Sequence, residues 1–164
     1  EPCRNDTVRL GMEAMDGCDT VTFVQGDQPL IRPASIVALL RVAERDAAGA
    51  ARRDAAGRGV ADVVECNAVG AALVDTAESG VARIWRTSFD GVPGAPVLFP
   101  SWAFDELRSL PRGKGGGFVA KAHAEYVRTI EVSSEWELFD VDTRDDLEQL
   151  QTYVARCGSA GLPC

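Results

Sequence analysis

A short apolar run that leads straight into an acidic turn constrains this chain more than any other feature. Residues 20–25 (TVTFVQ) are β-branched and apolar; Gly26-Asp27 follows at once, then Pro29 and Pro33, then a helical pattern from about Ala34 to Ala47. The run reads as a buried strand. A buried strand, an acidic loop and a helix in that order form a unit of an open α/β sheet, whose strand C-termini are where ligands bind. Asp27 is therefore predicted on a rigid strand tip facing solvent. Gly26 allows a tight turn there, and Pro29 stiffens the exit. Such a carboxylate suits a divalent cation bridged to phosphates. An aspartate that merely caps the turn before the helix is the other reading, and spacing alone does not separate the two.

The remaining chain keeps the α/β rhythm. Asp6 to Met15 places Val8, Met12 and Met15 at helical spacing, with Asn5 or Asp6 as N-cap and Asp16-Gly17 as the stop. From Ala47 to Gly59 the composition shifts to Ala, Gly, Arg and Asp, read as a solvated helix end followed by a flexible insertion. Strands are expected at 60–64, 68–74 and 82–89, with turns at Asp90-Gly91 and Pro93-Gly94. Val97 to Pro100 ends an extended segment, and Ser101 caps a helix carrying Phe104, Leu107 and Leu110. The loop Arg112 to Gly117 precedes a short helix through His123, and Tyr126 to Val132 reads as a strand. A last helix starts near Thr143 with Leu147, Leu150, Tyr153 and Val154 on it. Asp145 and Asp146 lie in its first turn, where the helix dipole favours acids. The reading gives one domain over 1–156, with an insertion-like stretch near 47–80 and a disordered tail at 157–164.

Charge narrows the partners. With 17 basic and 25 acidic residues the net charge is −8, which repels phosphate backbones and argues against nucleic acid. A nucleotide is not excluded, because a metal ion can reverse the field locally. No apolar run reaches the roughly 18 residues that a membrane span needs. Five cysteines (Cys3, Cys18, Cys66, Cys157, Cys164) form no C-x-x-C pair; they read as reduced thiols of a cytoplasmic protein, with Cys3 and Cys164 exposed. His123 stands on a helix without a partnering Ser or Cys motif and reads as surface or structural.

Four segments carry a resemblance in order along the chain. GDQPLI, preceded by DTVRLGMEAM (Asp6 to Met15), resembles the metal-binding loop of the molybdenum cofactor cytidylyltransferases and the related guanylyltransferases. GVPGAPVLFP (Gly91 to Pro100) resembles that family's G-x-P-G-N-P-V-L-F segment. LPRGKGGGFVAKAHAEYVRTIEV resembles the loop and helix that follow, and FDVDTRDDLEQL (Phe139 to Leu150) resembles the closing D-I-D-T-P-E-D-L motif. The resemblance implies a Rossmann-like three-layer α/β/α nucleotidyltransferase fold, incomplete at its N-terminus. It implies transfer of CMP, or another NMP, from an NTP to a molybdopterin-type molybdenum cofactor, with release of pyrophosphate. CTP is the favoured donor, Mg²⁺ or Mn²⁺ the cofactor, and a molybdenum hydroxylase a further partner.

Residue by residue, Asp27 matches the family's metal-binding Asp, and Asp142 of Asp140-Val141-Asp142 is the second carboxylate candidate; an acid beside the Thr143 cap is its other reading. Gly26, Gln28 and Pro29, the turn Gly94-Ala95-Pro96, and Lys114-Gly115-Gly116 are the expected nucleotide or substrate contacts. Glycines in the last loop let backbone N–H groups approach an anion, and an unliganded flexible turn is the alternative. The chain departs from the family in two places. Ala95 replaces the usual Asn, removing a side-chain amide from the turn. The family's opening strand and L-A-A-G-x-S-x-R-M-G loop, which hold the NTP, have no counterpart in these 164 residues. The chain by itself is therefore expected to turn over slowly or not at all. A non-catalytic relative that binds the molybdenum cofactor or a hydroxylase, and a sugar-phosphate nucleotidyltransferase, are the competing functions.

Overall fold

The computed structural model describes residues 4–15, 17–56 and 81–160. The strands expected at 60–64 and 68–74 lie outside these residues, as do Cys3, Cys66 and Cys164.

The helix α1 (Arg4–Glu13) buries Val8 and Met12. Met15 lies beyond its end and is exposed rather than on the buried face, because the chain leaves the helix before Gly17, which adopts a positive φ. The strand β1 (Thr20–Phe23) stops two residues short of the expected end. Next comes α2 (Pro33–Ala56), with proline at the first helical position, where its missing N–H costs nothing. It continues through the stretch read as an insertion. Ala and Arg are strong helix formers, and the alanine-rich run 47–56 extends the helix despite its weak hydrophobic pattern.

The strands β2 (Ile84–Phe89) and β3 (Val92–Pro100) form a hairpin around Asp90-Gly91, both at positive φ as a two-residue type I′ turn requires. The second expected turn, at Pro93-Gly94, is instead part of β3. Arg86 pairs with Val97 and Ser88 with Pro93, so Thr87 faces the three residues Gly94, Ala95 and Pro96 in a bulge. The Ala95–Pro96 peptide is cis. Beyond β3 lie α3 (Phe104–Arg108), α4 (Gly116–Ala122), β4 (Val127–Glu131) and α5 (Arg144–Ala160). The last helix runs past Cys157, which is buried, to Ala160.

The four described strands take the order β1-β3-β2-β4. β3 is antiparallel to both β1 and β2, and β4 is parallel to β2, so β1, β2 and β4 all point the same way. On one face Val8 and Met12 of α1, Phe104 and Leu107 of α3, and Val119 and Ala120 of α4 pack on Val21, Ile84, Val97 and Phe99. On the other, Leu39, Val42 and Ala43 of α2 cover Trp85, Leu98 and Ile130. Helix, sheet, helix: the expected three-layer architecture is present. A buried ion pair anchors α2 to β2, with Asp46 accepting from the Arg83 backbone N–H at 2.6 Å and from its guanidinium at 3.2 Å.

The helix α5 joins the body through Tyr153, stacked on Trp136 at 4.1 Å, while Leu147 and Val154 stay exposed. Its start is a reciprocal cap. Asp146 accepts from the Thr143 backbone N–H at 2.8 Å and its hydroxyl at 2.7 Å, and the Asp146 N–H returns a bond to Thr143 Oγ1 at 3.2 Å. The hydroxyl bond, then the backbone bond, hold the Asp146 carboxyl below its ordinary value of 3.8. Because the folded value lies below the unfolded one, the cap stabilises fully above about pH 3.8 and fades as the pH falls through the lower folded value. Melting followed by far-UV circular dichroism should show wild type above Asp146→Asn near neutrality, the gap closing below that pH. A gap that persists at acid pH contradicts this account of the cap.

Candidate functional site

Beyond β1 the chain is exposed through Val24, Gln25 and Gly26, half-buried at Asp27 and buried at Gln28. What holds it is a second segment, residues 133–142, laid alongside. The Asp27 carbonyl accepts from the Val141 N–H at 2.9 Å. Gln28 Nε2 donates to the Leu138 carbonyl at 3.3 Å. Farther along, the Glu137 carboxylate accepts from the Arg32 N–H at 3.4 Å and from the Ser35 hydroxyl. On its own segment it takes the Ser133 N–H at 3.2 Å and the Ser133 hydroxyl at 2.8 Å. Arg32 adds an ion pair, its Nε 3.8 Å from Glu137 Oε1. Glu137 is 1% exposed, and this set of donors accounts for a carboxylate there.

Asp27 is thus fixed by its main chain, which leaves its side chain available. Its Oδ1 is buried and has no hydrogen-bond partner among the described residues. An acceptor in that condition is costly unless a donor or cation meets it. The turn-cap reading would have given the carboxylate a backbone partner. Asp142 follows directly on Val141, so the strap that holds Asp27 also brings in the second candidate carboxylate. It is exposed, and the capping of α5 falls to Thr143 and Asp146 rather than to it. Among the described residues no cluster of three or more metal-ligating side chains occurs. Two carboxylates suffice for an ion that completes its shell with water and substrate phosphates, the habit of Mg²⁺.

The bulge joins the same assembly. A Cβ on Gly94 would lie 2.9 Å from Leu138 Cδ1, so glycine is what allows β3 to press on the strap. The Gly94 carbonyl accepts from Arg86 Nε at 3.0 Å and Nη2 at 2.8 Å. Ala95 and Pro96 are buried, Ala95 within the core cluster, so whatever this turn offers a ligand comes from main chain. Gly26 has open space around its Cβ position and no positive φ. The tight-turn role expected of it is not needed for this conformation. Pro29 is exposed.

The loop at Lys114 is anchored differently. The Lys114 N–H donates to the Pro111 carbonyl at 3.0 Å, Gly113 takes a positive φ, and the Lys114 ammonium lies exposed, 6.0 Å from the Phe118 ring centre. Gly115 caps α4, and a Cβ on Gly116 would come within 3.1 Å of Phe99. Close packing against the core accounts for glycine at 116. His123 pairs with Glu106 at 2.7 Å and packs edge-on to Trp102, in keeping with a structural residue.

Sequence reasoning missed Glu137, Arg32 and Arg86. Charged residues in a loop or strand read by default as solvated, and only the fold shows that they converge. Two concavities flank Trp136, one lined by Leu30, Arg32, Ser134, Glu137 and Tyr153, the other by residues of α5. Neither is lined by Asp27 or Asp142.

Residues 5–127 match the family described as MobA-like NTP transferase domain. The chain belongs to this family. Among solved structures, this MobA-like chain is similar to a homologue, from mycobacterium sp. strain JC1, of Mycobacterium tuberculosis Rv0371c. The TM-score is 0.60 at 22% identity, covering 94% of this chain and 59% of that one. Rv0371c from Mycobacterium tuberculosis H37Rv gives 0.60 at 19%, covering 90% and 58%. At these identities the likeness is one of fold, and the chain spans under two thirds of either protein. No curated protein matches it. Among the described residues no helix is long and apolar enough to cross a membrane.

The strap makes two expectations measurable. Glu137→Ala strips the acceptor from both segments and should cost about 3 kcal/mol, the low end for a broken buried pair because Arg32 still reaches solvent. Gly26→Ala, into open space, should stay within about 0.5 kcal/mol of wild type. Urea unfolding of the two variants tests both; equal losses would contradict the division of labour described above.

Proposed function

We propose that this chain transfers a nucleotidyl group from an NTP, CTP being the favoured donor, to the terminal phosphate of a molybdopterin-type molybdenum cofactor. The observation that carries the reading is the Asp27 carboxylate, fixed through its main chain in the turn beyond β1, with Oδ1 buried and without a hydrogen-bond partner among the described residues. Family membership supports an NTP as the nucleotide source.

In the reaction an acceptor phosphate oxygen attacks the α-phosphorus, the bond to the bridging oxygen breaks, and pyrophosphate leaves. The nucleophile is already anionic, so no strong general base is required, and positioning and charge neutralisation do most of the work. Asp27 and Asp142 would hold Mg²⁺ or Mn²⁺, which when bound offsets the charge that grows on the departing pyrophosphate. The chain's own part is to hold Asp27 by its main chain against the strap that carries Asp142, while the main chain of the Gly94–Pro96 bulge and the Lys114 loop would meet the anionic substrates.

The test measures pyrophosphate release with each NTP, Mg²⁺ and molybdopterin cofactor, using this chain and any longer protein that carries it. Asp27→Ala should lower the rate about 100-fold or more, as expected when several kcal/mol of charge stabilisation is removed. An unchanged rate in Asp27→Ala sinks the role of that carboxylate. Release with sugar phosphates instead of molybdopterin would reassign the acceptor.

A further inference from the structure

Arg86 lies mid-strand in β2, level with Val97 of β3 and, across it, Phe23 of β1. β1 and β2 point the same way, so the end of the sheet toward which Arg86 reaches, at Gly94, is the end that carries Asp27. The link is short: the guanidinium binds the Gly94 carbonyl, Gly94 presses on Leu138, and the Leu138 carbonyl receives Gln28. Strand alternation puts Arg86 on the sheet face of Ile84, the face covered by α1, α3 and α4.

This cation is half-buried, yet no carboxylate pairs with it among the described residues. The contrast with Arg83 is direct, since Arg83, just ahead of β2, holds Asp46 in a buried pair. Arg86 has only a carbonyl. Nε and one Nη2 hydrogen are spent on Gly94, which fixes the guanidinium plane. The Nη1 group and the second Nη2 hydrogen have no partner among the described residues. Burial lowers the guanidinium's pKa, the mark of a cation whose desolvation is not offset by a protein anion. In a chain with 25 acidic residues a partner would be easy to supply. A held guanidinium with free fork positions is the arrangement that recognises a phosphate oxygen pair.

We propose that Arg86 is an anion-binding residue, and that its ligand is the phosphate of the acceptor substrate. The anion site stands on geometry alone; its assignment to the acceptor rests on the nucleotidyltransferase reading above. Arg86 meets the strap through Gly94 at Leu138, and Asp27 meets it separately at Val141, which is why the acceptor rather than the NTP is assigned to Arg86.

Inorganic phosphate is the probe. Titrated into the wild-type chain, it should shift the Arg86 Nε–Hε resonance saturably. Arg86→Met should lose that binding, and Arg86→Lys, which keeps the charge without the fork, should weaken it about tenfold. Circular dichroism establishes that each variant is folded at the assay temperature. No shift in wild type, or equal phosphate affinity in folded Arg86→Met, overturns the site. In an active protein, Arg86→Lys should raise KM for the acceptor and leave KM for the NTP unchanged; a rise in the NTP KM alone overturns the acceptor assignment. If no NTP releases pyrophosphate, the nucleotidyltransferase reading fails while the resonance titration still decides the anion site.

Discussion

The buried carboxylate of Glu137 is the interaction on which the rest of the site depends. It collects donors from Arg32, Ser35 and Ser133, which belong to segments about a hundred residues apart in the chain. A carboxylate at that depth is tolerable only when its oxygens are hydrogen-bonded. Once it is, the two segments have little freedom to slide. The Gln28–Leu138 and Asp27–Val141 bonds then continue the same seam toward the strand tip. Asp27 is positioned by this network through its main chain, and Oδ1 is left without a partner among the described residues.

The bulge in β3 is the second element of the same construction. Thr87 opposes three residues, so β3 departs from regular pairing where Gly94 meets Leu138. Ala95 and Pro96 turn into the core and Gly94 turns its carbonyl to Arg86. The strap is thereby pressed by the bulge at Leu138 and tied to the acidic loop at Leu138 and Val141. A net negative chain thus has two carboxylates and one half-buried cation linked through the strap and the bulge, the set on which the proposed metal-bridged polyphosphate and phosphate acceptor rest.

Several elements were legible because their determinants are local. The strand ahead of Gly26-Asp27, the Asp90-Gly91 hairpin and the buried Phe104 and Leu107 follow from β-branching, positive-φ residues and helical spacing, none of which needs a distant partner. Leu110, also buried, lies past the end of α3, and Ser101 opens a short 3-10 turn instead of capping the helix. Where a local signal was ambiguous, context decided. Alanine-rich residues 47–56 looked like an insertion and are helix, because propensity carried the pattern on from a well-packed first half. Pro93-Gly94 looked like a turn and is strand, because pairing with β2 resumes on both sides of the bulge. Asp27 and Asp142 could be named from the motif, but not the fact that one strap serves both.

The sequence by itself determined the α/β class, most of the helical and extended segments among the described residues, and the acidic turn that follows the first strand. These depend on residues within a few positions of one another. The tertiary structure alone decided that Glu137 is buried, that Gly94 is sized to Leu138, and that, among the described residues, Asp27 Oδ1 has no partner and Arg86 no counter-ion. Each of those is a property of what lies across a gap between distant segments, and a charged residue's sequence neighbours carry no record of how much solvent or which opposite charge the fold leaves beside it.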